Sequence, residues 1–170
     1  TNLESLNRLL LESGSNLNLG IYAGLIFISA GLLFKLAAAP FHMWVPDIYE
    51  GSPSASALFF AVVPKLSIFV VLMRLYYVGF YDLFYLWQPM LLSVSVLSLF
   101  FATIGALYQR KLKRFLAFSS IGHVGYALLA LAVVSPEGIQ AVLTYMVVYI
   151  VISLNAWITL LLLIRSDGKY

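Results

Sequence analysis

Two lysines stand where solubility cannot explain them. Phe34-Lys35-Leu36 and Val63-Pro64-Lys65-Leu66 each place an ammonium inside an apolar run long enough to cross a bilayer, with a proline within five positions. A charged side chain at bilayer depth costs roughly 2.5–3.5 kcal/mol on insertion scales, so such a group faces a protein interior or a hydrated path. Burial disfavours the charged form of a lysine, whereas the carbonyl end of a broken helix or a nearby carboxylate favours it. Lys35 and Lys65 can therefore change protonation state with small changes around them, which is the chemistry of a proton or cation route. His123, in Ser119-Ser120-Ile121-Gly122-His123-Val124-Gly125-Tyr126, is a third candidate. It can relay a proton near neutral pH, or it can be a core histidine satisfied by a hydroxyl such as Ser119, four residues back on the same face.

The elements that must hold these groups are membrane helices. The 170-residue chain is 62% hydrophobic and only 10% charged, against about 25% charged residues in an ordinary soluble domain. The fold class is all-α and integral to the membrane. Five spans are expected. The first covers residues 19–39, breaks or kinks near Pro40 because proline lacks the amide that would continue the helix, and resumes as a short piece to residue 49. The others cover residues 55–78, 89–107, 115–134 and 139–164, each near the ~20 residues a crossing needs. Lys65 falls close to the centre of the second span, too far from either edge to snorkel easily. Pro64 beside it frees the carbonyl of Phe60, which a side chain, a neighbouring helix or water must meet.

The remaining polar content is sparse. Serines 93, 95 and 98 and Thr103 in the third span suit helix packing more than conduction, and Gly122 and Gly125 permit close helix approach. Thr144, Tyr145, Tyr149, Ser153 and Asn155 in the fifth span are expected to bond across helices. The aromatic turn from Tyr76 to Trp87 suits a membrane–water interface. Residues 1–18 form a surface segment whose leucines at 3, 6, 9 and 10 have helical spacing; it either lies flat on the membrane or is a loop. Residues 19–170 form the membrane domain.

Charge and cysteine usage exclude other classes. The net charge of +3 owes much to Arg110, Lys111, Lys113 and Arg114, a short basic loop between two spans, so nucleic-acid binding is a poor reading. Placed on the electrically negative side, this loop puts Arg165 and Lys169 on the same side, along with Asp47 and Glu50. With no cysteines and two histidines, thiolate metal sites, iron–sulfur ligation and a metal centre built by this chain alone are excluded.

The stretch from Phe34 to Pro53, then Pro64-Lys65, then Lys113-Arg114-Phe115-Leu116-Ala117-Phe118-Ser119-Ser120-Ile121-Gly122-His123-Val124-Gly125-Tyr126, resembles the chain 2 family of respiratory NADH:ubiquinone oxidoreductase (complex I), most closely its mitochondrial versions. The likeness covers residues from about 19 to 155. That family is antiporter-like and is related to subunits of multi-subunit cation/proton antiporters, the alternative reading. The resemblance implies two inverted five-helix repeats, each with one broken helix carrying a central ionisable residue. Lys35 matches the broken-helix lysine of the first repeat, Lys65 the lysine of the next helix, and His123 a position on the hydrated axis of the second repeat. It implies proton translocation in the mitochondrial inner membrane, driven by quinone reduction elsewhere. NAD, FMN, iron–sulfur clusters and ubiquinone would be held by other subunits and no cofactor by this chain. It implies as partners the other membrane-arm subunits, lipids, and a second polypeptide or missing segment. That segment would supply a carboxylate near Lys35 and a downstream lysine, since the chain lacks both. A fragment, from a split gene or a longer chain, is the expectation.

Overall fold

A computed structural model describes residues 19–166, together with Leu3; the surface segment expected over residues 1–18 otherwise lies outside the described residues, as does Lys169. The described chain is helical: α1 (Leu19–Leu36), α2 (Trp44–Gly51), α3 (Ser54–Arg74), α4 (Phe84–Leu107), α5 (Leu112–Leu131) and α6 (Pro136–Ser166). Among the described residues, five helical stretches are long and apolar enough to cross a membrane: Leu19–Leu36, Ser54–Gly79, Tyr81–Leu107, Leu112–Leu131 and Pro136–Ile164. Between 22% and 44% of each apolar window is buried within the chain, so most of every span is left for lipid or for neighbouring helices to cover.

The bounds differ from the expected ones at the starts of the third and fifth spans. Pro89 lies inside α4 and Pro136 opens α6, so both helices begin earlier than residues 89 and 139. Pro136 stands at the first position of its helix, where its amide would have no partner anyway, whereas Pro89 lies past the first turn and removes one ladder bond, to Tyr85 O. The fourth span runs from Leu112 to Leu131, starting within the basic loop and ending three residues sooner than expected.

The break of the first helix comes earlier than Pro40. Ala37 adopts a left-handed conformation, φ 60°, and Ala37, Ala38 and Ala39 are fully buried. Their backbone groups find partners in place of a helix ladder: Ala38 N–H donates to Leu33 O at 3.0 Å, and Ala39 N–H donates to Ser98 Oγ at 2.8 Å. Phe34 O accepts from Ala37 N–H and from Trp44 Nε1 at 3.3 Å. A membrane interior demands such substitution, because an unpaired backbone group there costs several kcal/mol. Ser98 thus joins α4 to the break, and Ser95 Oγ donates to Gly125 O at 2.7 Å, binding α4 to α5. A Cβ on Gly125 would meet Leu99 at 3.0 Å and Ser95 O at 3.2 Å, so only glycine permits this approach.

The aromatic turn is core rather than interface at its two ends. Tyr76 and Trp87 are fully buried and stack with ring centroids 4.7 Å apart, and Trp87 Nε1 donates to Phe80 O. Here α3 ends in a π-helical turn, Leu75–Gly79, which rotates Tyr76 inward to donate to Ser29 Oγ on α1. Tyr77 and Gln88 then donate to Leu131 O and Ala132 O, two of the carbonyls left open at the end of α5.

Candidate functional site

The buried stripe of α3 reads Ala57, Ala61, Lys65, Ile68, Phe69 and Leu72. This helical spacing carries Lys65 inward at 3% exposure. Two apolar clusters flank it. One contains Ile68, Phe69, Leu72, Val124 and Leu128 with Leu36 and Ala38 from the break; the other contains Val45, Tyr49, Ala61, Ala117 and Trp157 with Ala37. Lys65 occupies the seam between them.

At that seam the ammonium has few partners. Lys65 Nζ donates to Ser120 Oγ at 2.9 Å and approaches Ser120 O at 3.3 Å, and it lies 5.9 Å from the ring centroid of Tyr149. The ring face offers a weak cation–π attraction. Ser120 Oγ in turn donates to Ala117 O at 2.8 Å. No described carboxylate reaches this group: the ion pairs among described residues involve only Asp47 and Glu50, with Lys111 and Arg114. A buried ammonium held by one hydroxyl, one carbonyl and one ring is weakly compensated for its lost hydration.

His123 joins the same site. It lines a narrow cleft with Lys65, Phe69, Val124, Met146 and Tyr149. Its Nδ1 lies 2.8 Å from the hydroxyl of Tyr145, so the expected partner Ser119 is replaced by a tyrosine of the facing helix. Tyr145 and Tyr149 are one turn apart on α6. Tyr149 donates to Ala61 O at 2.8 Å, so the carbonyl met by a side chain next to Pro64 is that of Ala61, one residue beyond the expected Phe60. A second crevice of about 30 Å³, room for a water, is lined by Ser119, Ser120, His123, Tyr149 and Ser153 on one part and by Leu116, Ile152, Ala156 and Trp157 on the rest. Ser120 therefore touches both the lysine and a space that can be wet.

The structure brings Lys65 and His123 together and leaves Lys35 apart. Lys35 lies one residue before the end of α1 and is exposed, while the buried stripe of that helix is Leu25, Ser29, Leu33 and Leu36. Among the expected cross-helix groups of α6, Thr144 and Asn155 face outward instead.

The post-break helix α2 is tied to the basic loop. Asp47 pairs with Arg114 and Glu50 with Lys111, Arg114 Nε lies 2.8 Å from Glu50 Oε2, and Lys113 donates to Ser52 O at 2.8 Å. Asp47 and Glu50 thus share a side with the basic residues, as the span count requires. Lys111 beside Glu50 holds its carboxylate below the usual range. A carboxylate shifted downward contributes stability above its unfolded value, and that contribution is lost as the pH falls through its lowered folded value. Acidification is therefore expected to release α2 first. Amide exchange over residues 44–51 should speed up as the pH drops below the ordinary carboxylate range. Glu50→Gln should remove most of that dependence; an unchanged profile in the variant would show that Glu50 does not hold the contact.

The fold and site define a polytopic helical membrane protein with a lysine buried in mid-span against Ser120, which also lines a small crevice. The chain belongs to the family described as NADH:quinone oxidoreductase/Mrp antiporter, TM, whose model matches residues 1–169. It is 48% identical over 151 residues to NADH-quinone oxidoreductase subunit N of Pelagibacter ubique, covering 89% of this chain and 32% of that protein. It is 41% identical over 153 residues to NADH-quinone oxidoreductase subunit N 1 of Rhizobium meliloti, 90% of this chain and 32% of that one. With NADH-ubiquinone oxidoreductase chain 2 of Marchantia polymorpha the identity is 42% over 151 residues, 89% and 30% of the two chains. The chain thus spans about a third of the length of these relatives.

Proposed function

We propose that this chain is the central part of a proton-translocating membrane-arm subunit of an NADH:quinone oxidoreductase, with Lys65 as a proton carrier and His123 and Lys35 as its neighbours on the route. The observation that carries this reading is Lys65 itself, 3% exposed and lacking a described carboxylate partner. Such a group changes charge readily, and a structural role alone would be served better by an apolar residue. The names of the relatives support the oxidoreductase assignment. In this reading the chain holds no redox centre, and NAD, flavin, iron–sulfur clusters and quinone belong to other subunits.

The family description also names antiporters, which keeps a cation/proton antiporter subunit as the second reading. Affinity purification from native membranes, with mass spectrometry and an NADH:quinone reductase assay on the eluate, separates the two. Flavin- and iron–sulfur-bearing subunits with reductase activity are expected; only membrane subunits, without reductase activity, would favour the antiporter. We further propose the mitochondrial inner membrane as the location, a reading that the likeness to chain 2 of Marchantia polymorpha supports and that the bacterial relatives leave open to test. Recovery of the chain in a bacterial cell membrane would overturn that placement while leaving the activity intact.

A further inference from the structure

The hydroxyl of Tyr145 stands 2.8 Å from His123 Nδ1, and neither atom has another hydrogen-bond partner among the described residues. The pair joins two helices, His123 on α5 and Tyr145 on α6, with ring centroids 6.0 Å apart and the rings tilted by 48°. One turn along α6, Tyr149 packs its ring 5.3 Å from the imidazole while its own hydroxyl is committed to Ala61 O. Tyr149 therefore holds the imidazole by packing, and Tyr145 holds it by a bond at one nitrogen. No described residue bonds the other nitrogen, Nε2. The imidazole lines both the cleft it shares with Lys65 and the water-sized crevice it shares with Ser120.

The two nitrogens of a histidine are not independent, because the bond made at one sets whether the other carries a hydrogen. A phenol can serve Nδ1 in either direction, and the two directions have opposite consequences. If Tyr145 donates, Nδ1 is the bare nitrogen, Nε2 already carries a hydrogen, and the ring can take up a proton only where the phenol stands. If Tyr145 accepts, Nδ1 carries the hydrogen and Nε2 is a base. A ring that carries protons passes through the imidazolium, in which both nitrogens donate and a phenol at Nδ1 can only accept, through a charge-assisted bond. The same direction in the neutral ring keeps Nε2 bare, so uptake and release need no reversal of the bond.

We propose that Tyr145 is a positioning residue for proton transfer through His123: its oxygen accepts from Nδ1–H and so makes Nε2 the nitrogen that takes and gives the proton. This rests on the reading of His123 as a neighbour of Lys65 on the proton route. In uptake, a hydronium in the crevice gives its proton to Nε2; an O–H bond breaks, an N–H bond forms, water is left, and the positive charge moves to the ring. Release to a water reverses these changes. The O–H bond of Tyr145 stays intact in both.

The test uses the assembled complex in proteoliposomes, with protons translocated per electron as the first readout. That ratio does not move when a variant merely lowers the amount of intact complex. Tyr145→Phe keeps the ring, which packs 6.2 Å from that of Tyr126, and deletes only the oxygen. Assembly should be unchanged and the ratio should fall about tenfold, less than loss of an acid–base group itself produces. His123→Gln leaves a carboxamide for Tyr145 but no group that takes up a proton, and should lose at least as much. The double variant Tyr145→Phe/His123→Gln should be no worse than His123→Gln alone, since both changes act on one linkage. The second readout is the infrared C–O band of the phenol, which differs between a donating and an accepting hydroxyl. In complex grown with isotope-labelled tyrosine, the band that Tyr145→Phe removes should be that of an acceptor. Should Tyr145→Phe fail to assemble, the same band is read from wild type minus His123→Gln. The proposal is overturned by a normal ratio in Tyr145→Phe beside an impaired His123→Gln, by losses that multiply in the double variant, or by the band of a donating phenol. Full pumping in His123→Gln would instead remove the reading of His123 on which the proposal stands.

Discussion

Replacing Lys65 with methionine is expected to lower proton translocation by the assembled complex on the order of a hundredfold, the scale of losing a positioned acid–base group. Assembly should stay intact. The two halves of this expectation come from the same geometry. Lys65 is buried at the seam of two apolar clusters and is compensated by Ser120 and the Tyr149 ring alone among the described residues. Removing a charge whose desolvation is poorly repaid relieves strain on the fold, and methionine fills nearly the same volume. Ser120 loses a donor to its oxygen but keeps its own donation to Ala117 O, so no hydroxyl proton is orphaned. The net change in stability should lie within about 1 kcal/mol. Lys65→Ala should abolish transport equally but leave a cavity that costs about 2–4 kcal/mol; comparing the two separates loss of the proton carrier from loss of packing. Proton uptake and quinone reduction are measured together in reconstituted vesicles, alongside the thermal midpoint of the complex. Wild-type transport in a well-assembled Lys65→Met protein would sink the relay assignment.

Periodicity and composition made the spans legible, because a bilayer forces about 20 apolar residues into every crossing helix. Lys65 was legible for the same reason: a charge in mid-span is costly enough to need a purpose. The places where the sequence misled are those where tertiary context decides. Ala37 carries no sequence signal for a left-handed backbone, whereas Pro40 does for a break; the groups that satisfy the break include Ser98, 59 positions along the chain, which meets the amide of Ala39. Tyr76 and Trp87 have interfacial chemistry, yet a π-helical turn rotates Tyr76 into a stack with Trp87. Ser119 and Ser120 are neighbours of the same type near His123, and only helix packing shows that Ser120 faces Lys65 while the histidine turns to Tyr145.

Lys35 poses the opposite problem from Lys65, and the second large effect is expected there. It lies at the end of α1 on the exposed side of the chain, yet within a stretch apolar enough to cross a membrane. An ammonium facing acyl chains would be costly by several kcal/mol, so a neighbouring segment must cover it with something polar. The described acidic residues do not serve. Asp47 and Glu50 are committed to Lys111 and Arg114, Asp82 lies beyond the far end of α3, and Glu137 opens α6 at that same end. The chain covers about a third of its relatives' length, which leaves ample polypeptide in an assembly to provide the missing group. We therefore expect a glutamate or aspartate from a neighbouring helix within ion-pair reach of Lys35, directly or through one water. A carboxylate there holds the lysine charged, and its withdrawal favours proton release, so the pair acts as a switch beside the break. Lys35→Met should then lower proton translocation at least about tenfold while leaving a carboxylate that takes up a proton. Neutralising that carboxylate in the Lys35→Met background should add little further loss, because the two act as one unit. A structure of the assembled complex in which Lys35 faces lipid, or is surrounded only by groups of this chain, would show that no such switch exists.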